Sequence, residues 1–238
     1  MRQIPRLFVA EELTGGRRLA LPPAATHQLA TVLRLEPGGE LRLFDDRTGE
    51  WAARITAVGR RAVEVEVGAW LRPREAPPDL WLCAAPLRPE RFAWLAEKAT
   101  ELGVARIVPV LTARTQFHRQ NLERLRARMV EAAEQCGRTA LPELAAPVPL
   151  AELLAGWPER RALLFADEEG GAPLRSVLAP PPAALLVGPE GGFAAAERAL
   201  LLAHPAVRRV SLGPRLLRAE TAAVAGVALW QATSGDGS

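Results

Sequence analysis

The chain has 238 residues, 49% of them hydrophobic, and a formal net charge of +3. That apolar content builds a sizeable core and excludes a disordered chain, apart from an expected loose tail at residues 233–238. The balance of charge is compatible with a nucleic-acid partner without requiring one, and it excludes a strongly basic wrapping protein.

Residues 1–71 read as a small β-rich domain. Arg6-Leu7-Phe8-Val9 suits an edge strand, and residues 22–34 suit a short helix with Leu29, Val32 and Leu33 on one face. Strands are expected at residues 40–44, 51–56 and 63–67, and the last, Val63-Glu64-Val65-Glu66-Val67, alternates with period two. The turn Asp45-Asp46-Arg47-Thr48-Gly49 joins two of them as a hairpin, and short strands with tight turns predict a small barrel. Residues 1–75 hold 12 arginines against 10 acidic residues, so RNA binding here needs a local patch. Arg6, Arg17, Arg18, Arg34, Arg60 and Arg61 are the arginines available for one. Solvated surface charge explains any single one of them more simply.

Residues 72–79 are rich in proline and charge and read as a linker. From residue 80 to 238 the pattern changes to alternating strands and helices, which predicts a mainly parallel sheet with helices on both faces. Residues 80–85 form an apolar strand. Pro89 suits the first position of a helix whose apolar face carries Phe92, Leu95, Ala99 and Leu102 and which ends at Gly103. A strand at 106–111, helices at 121–136 and 150–157, and a strand at 162–165 follow. Then come two units of the same kind: a strand, a glycine loop and a helix.

The first loop is Gly188-Pro189-Glu190-Gly191-Gly192-Phe193. It matches neither the dinucleotide fingerprint nor the phosphate loop, and Glu190 in its middle would repel a triphosphate. A ligand with a positive centre and hydroxyl groups, such as S-adenosylmethionine, fits it better. A purely structural turn before a helix explains the same glycines, and the residues alone do not separate the two readings. The second loop, Gly213-Pro214-Arg215-Leu216-Leu217-Arg218, opens a helix that carries Glu220 and Thr221 and a run of small residues. Glu220 in a first helical turn also favours the helix dipole. The small residues let another backbone pack closely, within the chain or across a dimer axis.

Lys98 is the only lysine, so almost all positive charge is arginine, which binds phosphate bidentately and stacks on bases. Codon bias or a hot habitat accounts for scarce lysine more simply. Cys83 and Cys136 are distant in sequence and predict no disulfide framework. His27, His118 and His204 are isolated, so no metal is expected. Met1 to Phe8 lacks the character of a signal peptide, and no apolar run reaches membrane-spanning length, so a cytoplasmic protein with no membrane partner is expected.

These residues resemble the RsmE family of 16S ribosomal RNA methyltransferases, which modify N3 of a uridine and belong to the SPOUT superfamily. The resemblance rests on Val187-Gly188-Pro189-Glu190-Gly191-Gly192-Phe193 with Glu197, and on Leu212-Gly213-Pro214-Arg215-Leu216-Leu217-Arg218-Ala219-Glu220-Thr221-Ala222. It extends to Lys98 with Glu101-Leu102-Gly103, to Glu131 through Arg138, and to Arg6, Phe8, His27, Val32 and Arg34. Leu216-Leu217 stands where an Ile-Leu pair is usual. The resemblance implies a PUA-like β-barrel that binds RNA, then a SPOUT domain with a trefoil knot, a homodimer and bound S-adenosylmethionine. Periodicity itself shows no knot, and general rules of chain topology disfavour one.

By the same resemblance the cofactor is held by Leu164, Phe165, Val187, Gly188, Glu190, Gly191, Gly192, Leu212, Gly213, Leu217 and Arg218. Arg218, Arg215, Glu190 and Glu220 are the expected catalytic residues, and Arg6, Arg17, Arg18 and Arg34 the expected RNA contacts. The expected substrate is 16S rRNA or the small ribosomal subunit. A SPOUT enzyme for another rRNA or tRNA nucleotide, a non-catalytic RNA-binding protein and a nucleotide-dependent enzyme are the alternatives.

Overall fold

The computed structural model describes residues 4–177 and 179–235. The chain divides into two compact units, one of residues 1–76 with 133–141, the other of residues 77–132 with 142–238.

The first unit is a five-stranded sheet in the order β1-β3-β4-β5-β2. Its strands are β1 (Arg6–Phe8), β2 (Arg18–Ala20), β3 (Glu40–Asp45), β4 (Gly49–Val58) and β5 (Val63–Arg72), with helix α1 (Pro23–His27) between β2 and β3. β1 runs parallel to β3, and the remaining pairs are antiparallel. Leu7 and Leu19, from the two edge strands, share one buried cluster with Leu41, Leu43, Ile55 and Val65. The sheet therefore has a single core on one face, in keeping with the alternating burial at the start of β5. Register shifts interrupt the β4–β5 pair, where bulges bend and twist a strand.

Two parts of this unit differ from expectation. The expected helix over residues 22–34 is one turn of α-helix followed by a π-helical turn at Gln28–Val32, and Arg34 then takes a positive φ of 50°. Thr26 and Thr31-Val32, both β-branched, sit in this short stretch and weaken a regular helix. β5 also runs on to Arg72, and residues just beyond it are tied down. Arg74 Nε donates to Asp46 at 3.0 Å, and Arg138 Nε donates to Glu75 at 2.7 Å.

The second unit is an eight-stranded sheet whose recorded pairs are all parallel. In chain order its elements are β6 (Leu80–Ala84), α2 (Pro89–Glu101), β7 (Arg106–Leu111), α3 (Leu122–Cys136), β8 (Glu143–Leu144), β9 (Val148–Pro149), α4 (Leu150–Ala155), β10 (Ala162–Ala166), β11 (Ala172–Pro173), β12 (Ala183–Val187), α5 (Ala195–Ala203), β13 (Val207–Ser211) and α6 (Ala219–Ser234). The sheet order is β11-β13-β10-β12-β6-β7-β8, with β9 on β7.

Both faces of this sheet are covered. Leu185 and Val187 of β12 point into one cluster with Phe92, Met129, Val227 and Trp230, while Leu186 and Phe165 point into another with Leu150, Leu154 and Leu201. Continuous apolar runs such as Ala183–Val187 are what burial on both faces demands. The small residues of α6 serve this packing: a Cβ on Gly226 would stand 2.6 Å from Leu185 Cδ2. Trp230 is fully buried, and its Nε1 donates to Ala179 O at 2.8 Å.

α6 continues to Ser234, so Thr233 and Ser234 of the expected loose tail are helical, and residues 236–238 of that tail lie outside the described residues. Among the described residues no helix is long and apolar enough to cross a membrane.

Candidate functional site

β10 lies between β13 and β12. The chain leaves β10, forms β12 on one side, then crosses back to form β13 on the other. This is a switch point of a parallel sheet, where loops at the carboxyl ends of neighbouring strands diverge and leave a crevice. A cavity of about 590 Å³ occupies it. Its walls are Ala166, Asp167 and Glu168 at the end of β10 and just beyond it, residues 187–190 at the end of β12, and residues 211–219 with Ala222 from the end of β13 into α6. A volume of that order suits a cofactor-sized ligand.

The structure brings most of the sequence-derived residues to this cavity: Val187, Gly188, Glu190, Leu212, Gly213, Arg215, Leu217 and Arg218 all line it. Others sit behind or beside it. Leu164 and Phe165 are core side chains, the latter packed edge-on against Phe193 at 5.3 Å. Gly191 faces Arg114, which donates to its carbonyl at 2.6 Å. Gly192 closes the turn with a φ of 67°, and Glu168 Oε1 would lie 2.2 Å from any Cβ there, so the turn requires glycine. Glu220 lines a smaller adjoining depression of about 380 Å³ together with Glu90, Arg91, Trp94 and Thr221.

The loops are held from outside. Glu197 at the start of α5 accepts from Ala113 N at 2.7 Å and from Ala194 N at 2.9 Å. Asp167 is almost fully buried and paired with Arg198 and Arg209. Burial opposes its ionisation, yet the Glu169 backbone N–H and the two arginines outweigh that and hold its carboxyl below the usual range. Arg91, from the first turn of α2, pairs with Glu190 at 3.1 Å and with Glu220 at 3.7 Å.

Among the described residues the guanidinium groups of Arg215 and Arg218 carry no ion pair or side-chain hydrogen bond, and both residues are exposed. This sets them apart from Arg91, Arg114, Arg198 and Arg209, whose groups are all engaged. Sequence reasoning did not single out Asp167, Glu168 or Arg91 as site residues. The acidic run directly after the strand at 162–165 was the available signal for the first two. Arg91 carried none, because its meeting with Glu190 is made only by tertiary structure.

The expected RNA contacts are placed unevenly. Arg17, Arg18 and Arg34 are exposed, with Arg18 paired to Glu66 at 2.9 Å. Arg6 is turned inward. It pairs with buried Glu50, lies over the Phe44 ring at 4.2 Å, and donates to the carbonyls of Ala133 at 2.7 Å and Arg138 at 2.7 Å. A long polar side chain beside an apolar strand gives no hint in sequence of which way it points.

The chain was compared with known proteins. The RNA methyltransferase domain family matches residues 74–231, and the RNA methyltransferase PUA domain family matches residues 23–68. A Rickettsia conorii protein named Ribosomal RNA small subunit methyltransferase E is 31% identical over 229 residues, spanning 94% of this chain and 93% of its own. A Synechocystis protein of the same name is 34% identical over 226 residues, spanning 91% and 74%. The crystal structure of a Neisseria gonorrhoeae Ribosomal RNA small subunit methyltransferase E bound to S-adenosylmethionine superposes with a TM-score of 0.89 at 27% identity, covering 99% of this chain and all of that one. A Legionella pneumophila chain solved with bound S-adenosylmethionine gives 0.89 at 33% identity, covering 98% and 99%. With both units matched, and a relative above 30% identity over nearly its full length, the chain belongs to the RNA methyltransferase family, among the ribosomal RNA small subunit methyltransferase E proteins.

Proposed function

We propose that the protein transfers a methyl group from S-adenosylmethionine to N3 of a uridine in small-subunit 16S ribosomal RNA, acting as a homodimer. The observation that carries this reading is the cavity at the switch point with two unpaired arginines, Arg215 and Arg218, at its wall. The lining fits the cofactor. Val187, Leu212, Leu217 and Ala222 offer apolar surface, Gly188 and Gly213 open main chain, and Glu168 and Glu190 offer carboxylates suited to hydroxyls or a positive centre. When bound, the cofactor supplies an electrophilic methyl group.

The chain must supply the rest. N3 of uracil is a poor nucleophile while it carries its proton, so a carboxylate has to accept that proton, directly or through water; Glu190, which lines the cavity, is the first candidate and Glu220, in the smaller depression, the second. Negative charge then spreads to the uracil carbonyls, and Arg218, with Arg215 beside it, stabilises it. Arg218 is the N-cap residue of α6, so the helix start fixes its backbone, while Arg215 stands three residues earlier on the loop. N3 lies on the pairing edge of the base, so the uridine enters unpaired or flipped out. Exposed Arg17, Arg18, Arg34, Arg60 and Arg61 of the first unit serve the RNA backbone. The loops around the cavity form the trefoil knot that the family resemblance implies. Exposed Trp94 on α2 and Leu229 on α6, two helices packed on each other, favour a dimer surface there.

Arg218→Ala tests the central role. It is expected to keep cofactor affinity by calorimetry within about threefold and to lower turnover by about 100-fold, the loss typical of a removed charge-stabilising donor. Full turnover with normal binding would contradict it.

A further inference from the structure

Arg91 stands outside the two loops that define the site, yet it is the side chain that joins them. Its Nη1 lies 3.1 Å from Glu190 Oε1, on the loop after β12, and 3.7 Å from Glu220 Oε1, in the first turn of α6. Glu190 lines the large cavity, while Arg91 and Glu220 line the adjoining depression, so the guanidinium stands on the ridge between them. Pro89 starts α2 just before it, and Phe92, Ala93 and Leu95 bury the helix around it, so its backbone is fixed. The side chain is about one-third exposed and Glu190 about two-fifths, with values of 36% and 40%.

A surface ion pair of that exposure contributes little to stability. Geometry is another matter. Two carboxylates meeting at one point repel each other unless a cation lies between them, and without it each would swing toward solvent. Glu220 is the more confined of the two, 14% exposed, and its buried Oε2 has no hydrogen-bond partner among the described residues. It can relax little, so loss of Arg91 would fall mainly on Glu190.

We propose that Arg91 is a positioning residue of the methyl-transfer site: it holds the Glu190 carboxylate at the cavity by bridging it to Glu220. The inference rests on the function proposed above. Arg91 acts through Glu190 and touches neither substrate.

A double-mutant cycle on the full-length protein tests it, with Arg91→Ala, Glu190→Gln and the pair, read as kcat/KM for methylation of 16S rRNA and as cofactor Kd. Each single change is expected to lower kcat/KM by about 10- to 100-fold, since displacing a site group by an ångström costs that order. In the Glu190→Gln background, Arg91→Ala is expected to cost less than about threefold more, because coupled residues are not additive. Arg91→Lys is expected to recover part of the loss, which a packing defect would not allow, and melting temperatures report folding of each variant. Losses that multiply across the pair, or an Arg91→Ala enzyme equal to wild type, would overturn the proposal. If instead the wild-type protein neither binds S-adenosylmethionine nor methylates RNA, it is the functional reading that fails.

Discussion

Asp167 forms part of the cavity wall, where its buried carboxylate meets Arg198, Arg209 and the Glu169 backbone N–H. Its folded-state pKa is lowered, so its contribution to stability is complete above the unfolded value of about 4 and is lost as pH falls through the folded value. Asp167→Asn removes charged hydrogen bonds worth roughly 2–3 kcal/mol. Denaturant unfolding is expected to show that deficit at pH 7 and to show the gap between variant and wild type closing below about pH 4. A gap independent of pH would mean the carboxylate's charge contributes nothing to stability. Glu50 repeats the arrangement in the first unit, held below its usual range by Arg72 and Arg6 against the opposing effect of burial. Single side chains of this kind were the least legible from sequence. Arg6 and Arg17 look alike in the chain, and only tertiary packing turns one inward onto Glu50 and leaves the other in solvent.

The elements were far more legible, for reasons that follow from their periods. α2 carries Phe92, Leu95 and Ala99 on one buried face, and the run at β12 is apolar throughout because both its faces are covered. β8, β9 and β11 are two residues long and leave no period to read. Their places come from pairing with β7 and β13. The small residues of α6 left two destinations open, and Gly226 decides for the interior by its approach to Leu185. Gly226→Val places new atoms against a filled core and is expected to cost about 1–3 kcal/mol, seen as a lower melting temperature. An unchanged melting temperature would show that α6 shifts freely over the sheet. The glycine loops were legible as strand–loop–helix units, and the family resemblance rather than the glycines alone marked them as a ligand site; that they end the two strands on either side of β10, and which of their residues face the cavity, was not legible. Phe165, Gly191 and Gly192 build the walls from behind, while Val187, Glu190 and Arg218 reach the cavity.

At the scale of the whole molecule, a five-stranded sheet and a parallel sheet with a switch-point cavity are joined in one chain. In the proposed reaction the first unit offers exposed arginines to a phosphate backbone, while the second has Glu190 and, among the described residues, two guanidinium groups without an ion pair at the wall of the cavity. On that proposal an overall charge of only +3 is compatible with a polyanionic substrate. Only local patches need to be positive, and association then depends on salt through few phosphate contacts. The central claim is methylation of a base in small-subunit RNA, and it is tested most directly by treating unmodified 16S rRNA, free and assembled, with protein and S-adenosylmethionine, then mapping the products by mass spectrometry. The predicted result is one added methyl group, on N3 of a single uridine. A methyl group on a ribose or another base, or no methylation of either substrate, would contradict it.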